Sequence, residues 1–412
     1  MKNSIVVYIK IFTDGQMYAI EKHKRILIQT RYVDRKPKDS VNDIVYGSER
    51  RISIMAKLKA GILGATGMVG QRFIQLLENH PWFEVCVVAA SPRSAGKTYE
   101  EAVGGRWKMD TPMPEAVKNM IVMNVNDVAV VAAKVDFCFS AVDMTKDEIR
   151  AIEEAYAKAE IPVVSNNSAH RWTPDVPMVV PELNPEHLDV IKFQKERLGT
   201  KKGFIAVKPN CSIQSYTPAL HALREFEPEV VVATTYQAIS GAGKNFNDWP
   251  EMIDNVIPYI GGEEEKSEQE PLRIWGHIED GKIVKAEGPV ITTQCIRVPV
   301  TNGHMAAVFV SFKKKPTKEQ ILEKWASFKG VPQELELPSA PKQFIKYFEE
   351  DNRPQTKLDR DYENGMGVCM GRLREDKVYD YKFVGLSHNT LRGAAGGAVL
   401  TAELLKAKGY IY

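Results

Sequence analysis

Cys211 lies in Lys208-Pro-Asn-Cys-Ser-Ile213, after a short apolar run (Phe204 to Val207) and before a helix expected over Ser215 to Phe226. A thiol at a strand-to-helix junction faces the positive end of a helix dipole. That field, together with a nearby cation, favours thiolate over thiol. A thiolate placed there is a nucleophile for an acyl or carbonyl carbon. Far upstream, Gly64-Ala-Thr-Gly-Met-Val-Gly70 carries glycines spaced for a dinucleotide loop. A thiol combined with a nicotinamide points to one chemistry, hydride exchange through a thioester.

Such a thiol needs a partner that handles protons. Of the eight histidines, His80, His187 and His221 sit at helix ends or within helices. His304 instead starts a strand, after a turn at Asn302-Gly303. Arg297 precedes it across that turn, and on a hairpin the two side chains can enter one pocket. There an Arg fork would hold a carboxylate and the imidazole would trade a proton. Two unrelated strand residues remain the alternative from spacing alone.

In the loop, Gly64, Gly67 and Gly70 serve a tight turn, close backbone approach and helix-strand packing, with a pyrophosphate over the helix N-terminus. A glycine-rich turn without ligand is the alternative. At the end of the following strand an NAD site would place Asp or Glu. This chain has Ser91-Pro-Arg-Ser-Ala-Gly-Lys97. Hydroxyls and two cations suit a 2′-phosphate, which favours NADP over a merely basic exposed loop.

The elements that must carry these residues alternate. Residues 57–63 read as a strand. Val69, Phe73, Leu76 and Leu77 share a helical face that Pro81 ends. Phe83 to Ala90 is a continuous apolar strand, as in a sheet buried on both sides. Strands at 121–124, 135–142 and 161–165 flank a helix from Thr145 to Glu160, which opens on a Thr145/Glu148 capping box. The pattern predicts a doubly wound parallel sheet. After Cys211, residues 230–239, 294–299 and 304–312 suggest a mixed or antiparallel sheet. Helices are expected over 217–226 and 317–327. The acidic run 261–270 reads as a solvated helix start and 328–366 as surface wrapping. Residues 390–408 read as a closely packed helix.

Composition sets bounds. The chain has 412 residues, 44% hydrophobic and 26% charged, with net charge +2. That is ordinary for a globular protein of two or three domains, without a field for nucleic acid or membrane. No apolar run approaches the roughly 18 residues of a membrane-spanning helix. Five scattered cysteines read as reduced thiols in a cytoplasmic protein. Cys86, Cys138, Cys295 and Cys369 are expected to be structural, and no metal site is expected. Residues 1–55 differ, with eleven Lys/Arg against six Asp/Glu and no clear periodicity. We expect translation to start naturally at Met55 and residues 1–54 to be dispensable. A disordered tail or weak targeting segment is the alternative.

Together with the motifs already quoted, Pro209-Asn-Cys-Ser212, Tyr236-Gln-Ala-Ile-Ser-Gly-Ala-Gly243, Glu263-Glu-Glu-Lys266, Arg297-Val-Pro-Val-Thr-Asn-Gly-His304 and Asn389-Thr-Leu-Arg-Gly-Ala-Ala-Gly-Gly397 carry a resemblance. From about Leu58 to the C-terminus the chain closely resembles the aspartate-β-semialdehyde dehydrogenase family of archaea and fungi. Residues 1–54 have no counterpart in it. The resemblance implies NADPH-dependent conversion of 4-phospho-L-aspartate to L-aspartate 4-semialdehyde with release of phosphate. This step feeds threonine, methionine and, in some organisms, lysine biosynthesis.

It further implies Cys211 as nucleophile, His304 as acid/base and Gln237 orienting the acyl group. Arg297 would hold the α-carboxylate, Glu263 the α-ammonium, and Lys266 with Asn210 the phosphate. Arg106 and Arg171 are both candidates for one further phosphate contact. The cofactor would meet Gly64, Thr66, Gly67, Met68, Val69, Ser91, Arg93, Ser94, Ser140, Ser240, Gly241 and Asn389. The implied organisation is an extension (1–56) and a Rossmann-type NADP domain (57–209) completed by a C-terminal helix (387–412). A catalytic and dimerisation domain (210–386) lies between them, and the assembly would be a homodimer or homotetramer. A related acyl reductase, acting on malonyl-CoA or N-acetylglutamyl phosphate, is the near rival. Glu263 discriminates, because only a free α-ammonium needs a carboxylate partner. A non-catalytic NADP sensor or scaffold is the rival of another class, and predicts an unreactive Cys211.

Overall fold

Strand and helix alternate from residue 58 onward because apolar runs of strand length are separated by amphipathic stretches with their own caps. The structure, a computed structural model, describes residues 8–11, 17–21, 24–28 and 56–412. Residues 1–54 and 55–412 are two separate compact units. In the first, β1 (Tyr8–Ile11), β2 (Met17–Glu21) and β3 (Lys24–Ile28) form an antiparallel meander. The sequence shows no clear strand periodicity there. Met55, the expected start, lies outside the described residues.

The second unit holds two six-stranded sheets. The first comprises β4 (Leu58–Leu63), β5 (Phe83–Ala90), β6 (Met123–Asn124), β7 (Phe137–Ser140), β8 (Val163–Ser165) and β9 (Ile205–Val207). All pairs are parallel, in the order β6-β5-β4-β7-β8-β9. This is the doubly wound topology, and the strand order reverses between β4 and β7, where such sheets bind ligands at their carboxyl ends. The helix Met68–Leu77 buries Phe73, Ile74 and Leu77 against one face. The helix Lys146–Lys158 packs on the other face and opens on the expected Thr145/Glu148 capping box, with both reciprocal bonds made. The C-terminal helix Gly396–Ala407 joins the cluster of Ala60, Ile62 and Phe73 through Ala398, Val399, Leu400, Ala402 and Leu405.

The second sheet is built from β10 (Pro228–Gln237), β13 (Val290–Arg297), β14 (His304–Phe312), β15 (Ile345–Phe348), β16 (Val368–Glu375) and β17 (Tyr381–Ser387). A small hairpin of β11 (His277–Glu279) and β12 (Lys282–Val284) stands apart from it. The order β13-β10-β14-β17-β16-β15 mixes parallel and antiparallel pairs. Along β10 and β14 every second residue is buried, so Val231, Ala233, Ala306, Val308 and Val310 fill the core. Val230, Val232, Tyr236, Met305 and Phe309 form a half-buried outer face.

Three expectations change. The helix after Cys211 is broken into a 3-10 turn (Ser212–Ser215), a five-residue helix (Thr217–His221) and another 3-10 turn (Arg224–Phe226). The acidic run is the expected helix start, Glu263–Ile274, but it is only partly solvated, for that helix buries Ser267 and Glu270. Residues 328–366 do more than wrap the surface: Leu337, Phe344 and Ile345 are buried, and β15 pairs with β16.

Candidate active site

Strand register brings the expected residues into one row. Gln237 on β10 is opposite Arg297 on the parallel neighbour β13. On the other side, the antiparallel register that pairs Tyr236 with Met305 puts His304 next to Gln237. All three point to the inner face and are buried. The convergence of Arg297 and His304 is thus real, but the expected hairpin is not, because β10 lies between β13 and β14. Both reach under Gly241. A Cβ on that residue would stand 3.1 Å from Arg297 Nη1 and 3.1 Å from His304 Nε2.

Cys211 comes to this row from the end of β9. Its Sγ lies 3.4 Å from His304 Nε2. The other ring nitrogen, Nδ1, accepts the Ala238 N–H at 3.0 Å. A nitrogen that accepts carries no proton, so the neutral imidazole keeps its proton on Nε2, facing sulfur. Burial, and then the charge of Arg297, push the His304 pKa down to about 3. His304 is therefore a fixed neutral donor, and of its expected acid/base role this tautomer supports the donating half.

The expected thiolate is not favoured by the dipole. Only a four-residue 3-10 turn follows Cys211, too short for a substantial macrodipole. Burial raises the thiol pKa, and Glu263 adds to the rise. Lys208, Arg171 and Arg297 pull the other way without overcoming it.

Glu263, at the start of its helix, gathers a polar cluster. It accepts from Asn210 Nδ2 at 3.0 Å and from Gln237 Nε2 at 3.1 Å, and pairs with Lys266 Nζ at 2.8 Å. Burial works against its charge, yet Lys266, Gln237 and Asn210 outweigh that and hold its carboxyl below the ordinary value. Asn210 is fixed further: its Oδ1 accepts from the Ser212 N–H at 2.7 Å, and its own N–H donates to Glu270 at 2.5 Å.

A cavity of about 310 Å³ opens over this cluster. Cys211, Asn210, Glu263, Lys266, Arg171 and Lys208 line it, as do the expected Met68, Val69, Ser240, Gly241 and Asn389. Arg297, Gln237 and His304 lie beneath its wall, and Arg297 Nη1 is tied to the Ala238 carbonyl at 2.7 Å. Of the two candidate arginines Arg171 lines this cavity, as Arg72 also does, and Arg171 is bound to Glu270 at 2.9 Å. Arg106 does not, for its guanidinium donates to the Val103 and Ala102 carbonyls and it lines the other cavity.

That other cavity, about 480 Å³, is lined by Gly64, Thr66, Gly67, Ser91, Arg93, Ser94, Lys97 and Arg106. The three glycines divide the expected roles. Gly64 has φ +83°, and a Cβ there would stand 2.2 Å from the Ala141 carbonyl oxygen. A Cβ on Gly70 would meet the Gly64 oxygen at 2.3 Å, whereas one on Gly67 has nothing nearer than 3.5 Å. Gly67 is therefore small toward the cavity, not toward the protein. Ser140 is the exception among the expected cofactor residues. It is fully buried, lines neither cavity, and accepts from Asn167 Nδ2 at 3.2 Å.

Lys208, to which the sequence assigns no role, also lines the thiol cavity. It is 4% exposed, and its ammonium donates to the Gly393 carbonyl. Burial lowers its pKa to about 7. The only signal in the sequence was its place three residues before Cys211.

The family described as semialdehyde dehydrogenase, NAD binding domain, matches residues 59–191, and its dimerisation domain matches residues 220–392. The aspartate-semialdehyde dehydrogenase of Methanothermobacter thermautotrophicus is 44% identical over 351 residues, spanning 84% of this chain and 99% of that one. The Saccharomyces cerevisiae enzyme of the same name is 42% identical over 368 residues, spanning 85% and 98%. A crystal structure of the Candida albicans enzyme with NADP superposes with a TM-score of 0.77 at 40% identity, covering 86% of this chain and all of that one.

Proposed function

Because this chain belongs to the aspartate-semialdehyde dehydrogenase family, we propose that it reduces 4-phospho-L-aspartate with NADPH to L-aspartate 4-semialdehyde and phosphate through a Cys211 thioester. The observation that carries the reading is the Cys211 Sγ–His304 Nε2 contact at 3.4 Å, beside a cavity charged for an amino-acid phosphate.

NADP suits the larger cavity. Gly67 leaves room for a pyrophosphate. Arg93 and Lys97, without ion-pair partners among the described residues, provide cations for a 2′-phosphate. Met68, Val69, Ser240, Gly241 and Asn389 would meet the nicotinamide end. When bound, NADPH supplies the hydride that reduces the acyl group.

The protein's own part follows from charge and tautomer. Glu263 holds Lys266 Nζ now and would accept the substrate α-ammonium in its place. Lys266, so released, joins Arg171 on the phosphate, with Asn210 beside them. Arg297 takes the α-carboxylate once Gly241 moves off its fork. Cys211 thiolate then attacks the acyl carbon. A C–S bond forms, the bond to the phosphate oxygen breaks, and phosphate leaves with the electron pair. Gln237 and the Nε2–H of His304 face the tetrahedral oxygen, where preorganised donors stabilise the developing charge. After reduction, the tetrahedral alkoxide expels Cys211 as thiolate and becomes the aldehyde. No alcohol proton needs removal, so a donor at His304 suffices.

The reading extends to threonine and methionine synthesis, and to lysine where that branch exists. It also includes a cofactor domain (57–209 with 387–412), a catalytic domain (210–386) and a dispensable 1–54. Apolar Val230, Val232, Tyr236, Met305 and Phe309 support self-association through the outer sheet face, as a homodimer or a homotetramer. The reverse assay tests the reading. With aspartate semialdehyde and phosphate, absorbance of reduced nicotinamide should rise with NADP and much less with NAD. No rise with either cofactor would refute it.

A further inference from the structure

The helix Glu263–Ile274 turns one face toward the nucleophile. Glu263, Ser267 and Glu270 recur at helical spacing along it, and each holds a residue of the turn around Cys211. Glu263 accepts from Asn210 Nδ2 at 3.0 Å, and Ser267 Oγ lies 3.0 Å from Ser212 Oγ. Glu270 has two partners of different kinds. One carboxylate oxygen accepts the Asn210 N–H at 2.5 Å, and the other accepts from Arg171 Nη1 at 2.9 Å. Glu270 is fully buried and lines neither cavity, so it touches no substrate itself.

These contacts close a ring. Arg171 Nε also donates to the Lys208 carbonyl at 3.1 Å, so the guanidinium is gripped from both ends of Lys208-Pro209-Asn210, the segment that delivers Cys211. Pro209 has no N–H to donate, and the Lys208 N–H is bonded to the Ser165 carbonyl. For the buried Asn210 N–H, Glu270 is the acceptor. A fork held by a carbonyl on one side and a carboxylate on the other cannot swing without breaking a buried, charge-assisted bond. Its guanidinium makes no further hydrogen bond among the described residues. The rest of the fork is left for an anion in the cavity that Arg171 lines.

We propose that Glu270 is a positioning residue of the reaction: it ties Arg171 to the backbone of Asn210 and so holds the phosphate site at a set distance from Cys211. That role presupposes Cys211 as the nucleophile and Arg171 as a phosphate contact. Sulfur must reach the acyl carbon while the phosphate on that carbon is held, and a misplacement of about 1 Å costs on the order of a hundredfold in rate. One carboxylate bridging both groups makes their separation a property of a closed ring, not of two independent side chains.

Charge, stability and position predict different outcomes when Glu270 is altered. A negative charge acting only through its field repels phosphate, so its removal would tighten phosphate binding. A purely structural carboxylate would lower the unfolding midpoint on removal and leave phosphate binding as it was. A tether, once cut, weakens phosphate binding, and does so only while Arg171 is there to be positioned.

The test is the reverse assay with aspartate semialdehyde and NADP saturating and inorganic phosphate varied. Glu270→Gln keeps the size, but its amide accepts at one oxygen only. It should raise the phosphate KM by about tenfold or more, the scale of one charged hydrogen bond, and leave NADP affinity unchanged. Arg171→Ala should raise the phosphate KM by about a hundredfold. The double variant should be no worse than Arg171→Ala, because Glu270 acts on phosphate through Arg171 and the two losses do not add. Glu270→Asp keeps the charge but is too short to bridge both partners. It should behave as Glu270→Gln and serves if that variant does not fold. Protection of Cys211 from iodoacetamide by inorganic phosphate gives the same comparison for a variant that does not turn over. It is followed by peptide mass, since Cys86 is also partly exposed. A phosphate KM lowered or unchanged in both Glu270 variants, or additive losses in the double variant, would overturn the proposal. Failure of the enzyme reading would look different: the unsubstituted protein would show no phosphate-dependent reduction of NADP, and both readings would fall.

Discussion

The glycine cavity and the thiol cavity are built by opposite means. The glycine cavity is made of a few short local segments between residues 64 and 144. Positions 64–70 shape it through missing side chains, and 91–97 supply its charge. The thiol cavity gathers residues 68–72 with residues scattered from 166 to 394, several of which hold one another through buried hydrogen bonds. Glu263 alone joins residues 210, 237 and 266. A cavity of the first kind is written in a local motif. One of the second kind is written in strand register, and a change in one member disturbs several. Substitutions among residues 64–67 and 91–97 should therefore act on cofactor affinity, and those around Cys211, Glu263 and Arg297 on substrate capture and turnover.

The largest effect expected is at the nucleophile. Cys211→Ala should lower kcat by at least about a thousandfold and leave NADP affinity, measured by titration, unchanged. Activity retained within about tenfold would break the division of labour between the cavities. Next, Arg297→Leu should weaken substrate capture by roughly a hundredfold, the scale of a lost bidentate ion pair, with little change in NADP binding. Equal loss of both, in steady-state kinetics and titration, would contradict the placement.

The glycine cavity can be split more finely. Gly70→Ala puts a Cβ against backbone and should cost about 1–3 kcal/mol of stability in thermal or denaturant unfolding. Gly67→Ala has room, so it should keep the unfolding midpoint while weakening NADP. Identical behaviour of the two variants would show that the glycines do not have separate tasks. Arg93→Ala should reduce the preference for NADP over NAD by about tenfold, through loss of a charged hydrogen bond to the 2′-phosphate. The smallest change is expected from removing residues 1–54, a separate unit, which should leave kcat/KM unaltered.

Legibility followed the same contrast. Strand β5 and the Thr145 capping box were legible to the residue, because both depend on near neighbours. The tight turn at Gly64 and the close packing at Gly70 were legible for the same reason. The Arg297–His304 meeting was expected for the wrong reason. Sequence proximity suggested a hairpin, whereas insertion of β10 between the two strands is a long-range pairing that no local pattern encodes. The helix after Cys211 was overread. The apolar spacing persists, but non-helical Tyr216 (φ −140°) and the two 3-10 turns interrupt it.

Burial was the hardest property to foresee. Glu263 and Glu270 read as solvent-facing acids, yet Asn210, Arg171 and Lys266 enclose them. Lys208 gave no sign that it would be dry. Its environment is set by residues 171, 270 and 392, each tens of positions away or more.

The most direct test is to mix the enzyme with aspartate semialdehyde and NADP without phosphate, then measure reduced nicotinamide and the mass of the Cys211 peptide together. The account predicts about one equivalent of reduced nicotinamide per chain, one acyl group on Cys211, and turnover resumed on adding phosphate. An acyl group on another residue, or steady reduction of NADP with Cys211 unmodified, would contradict it.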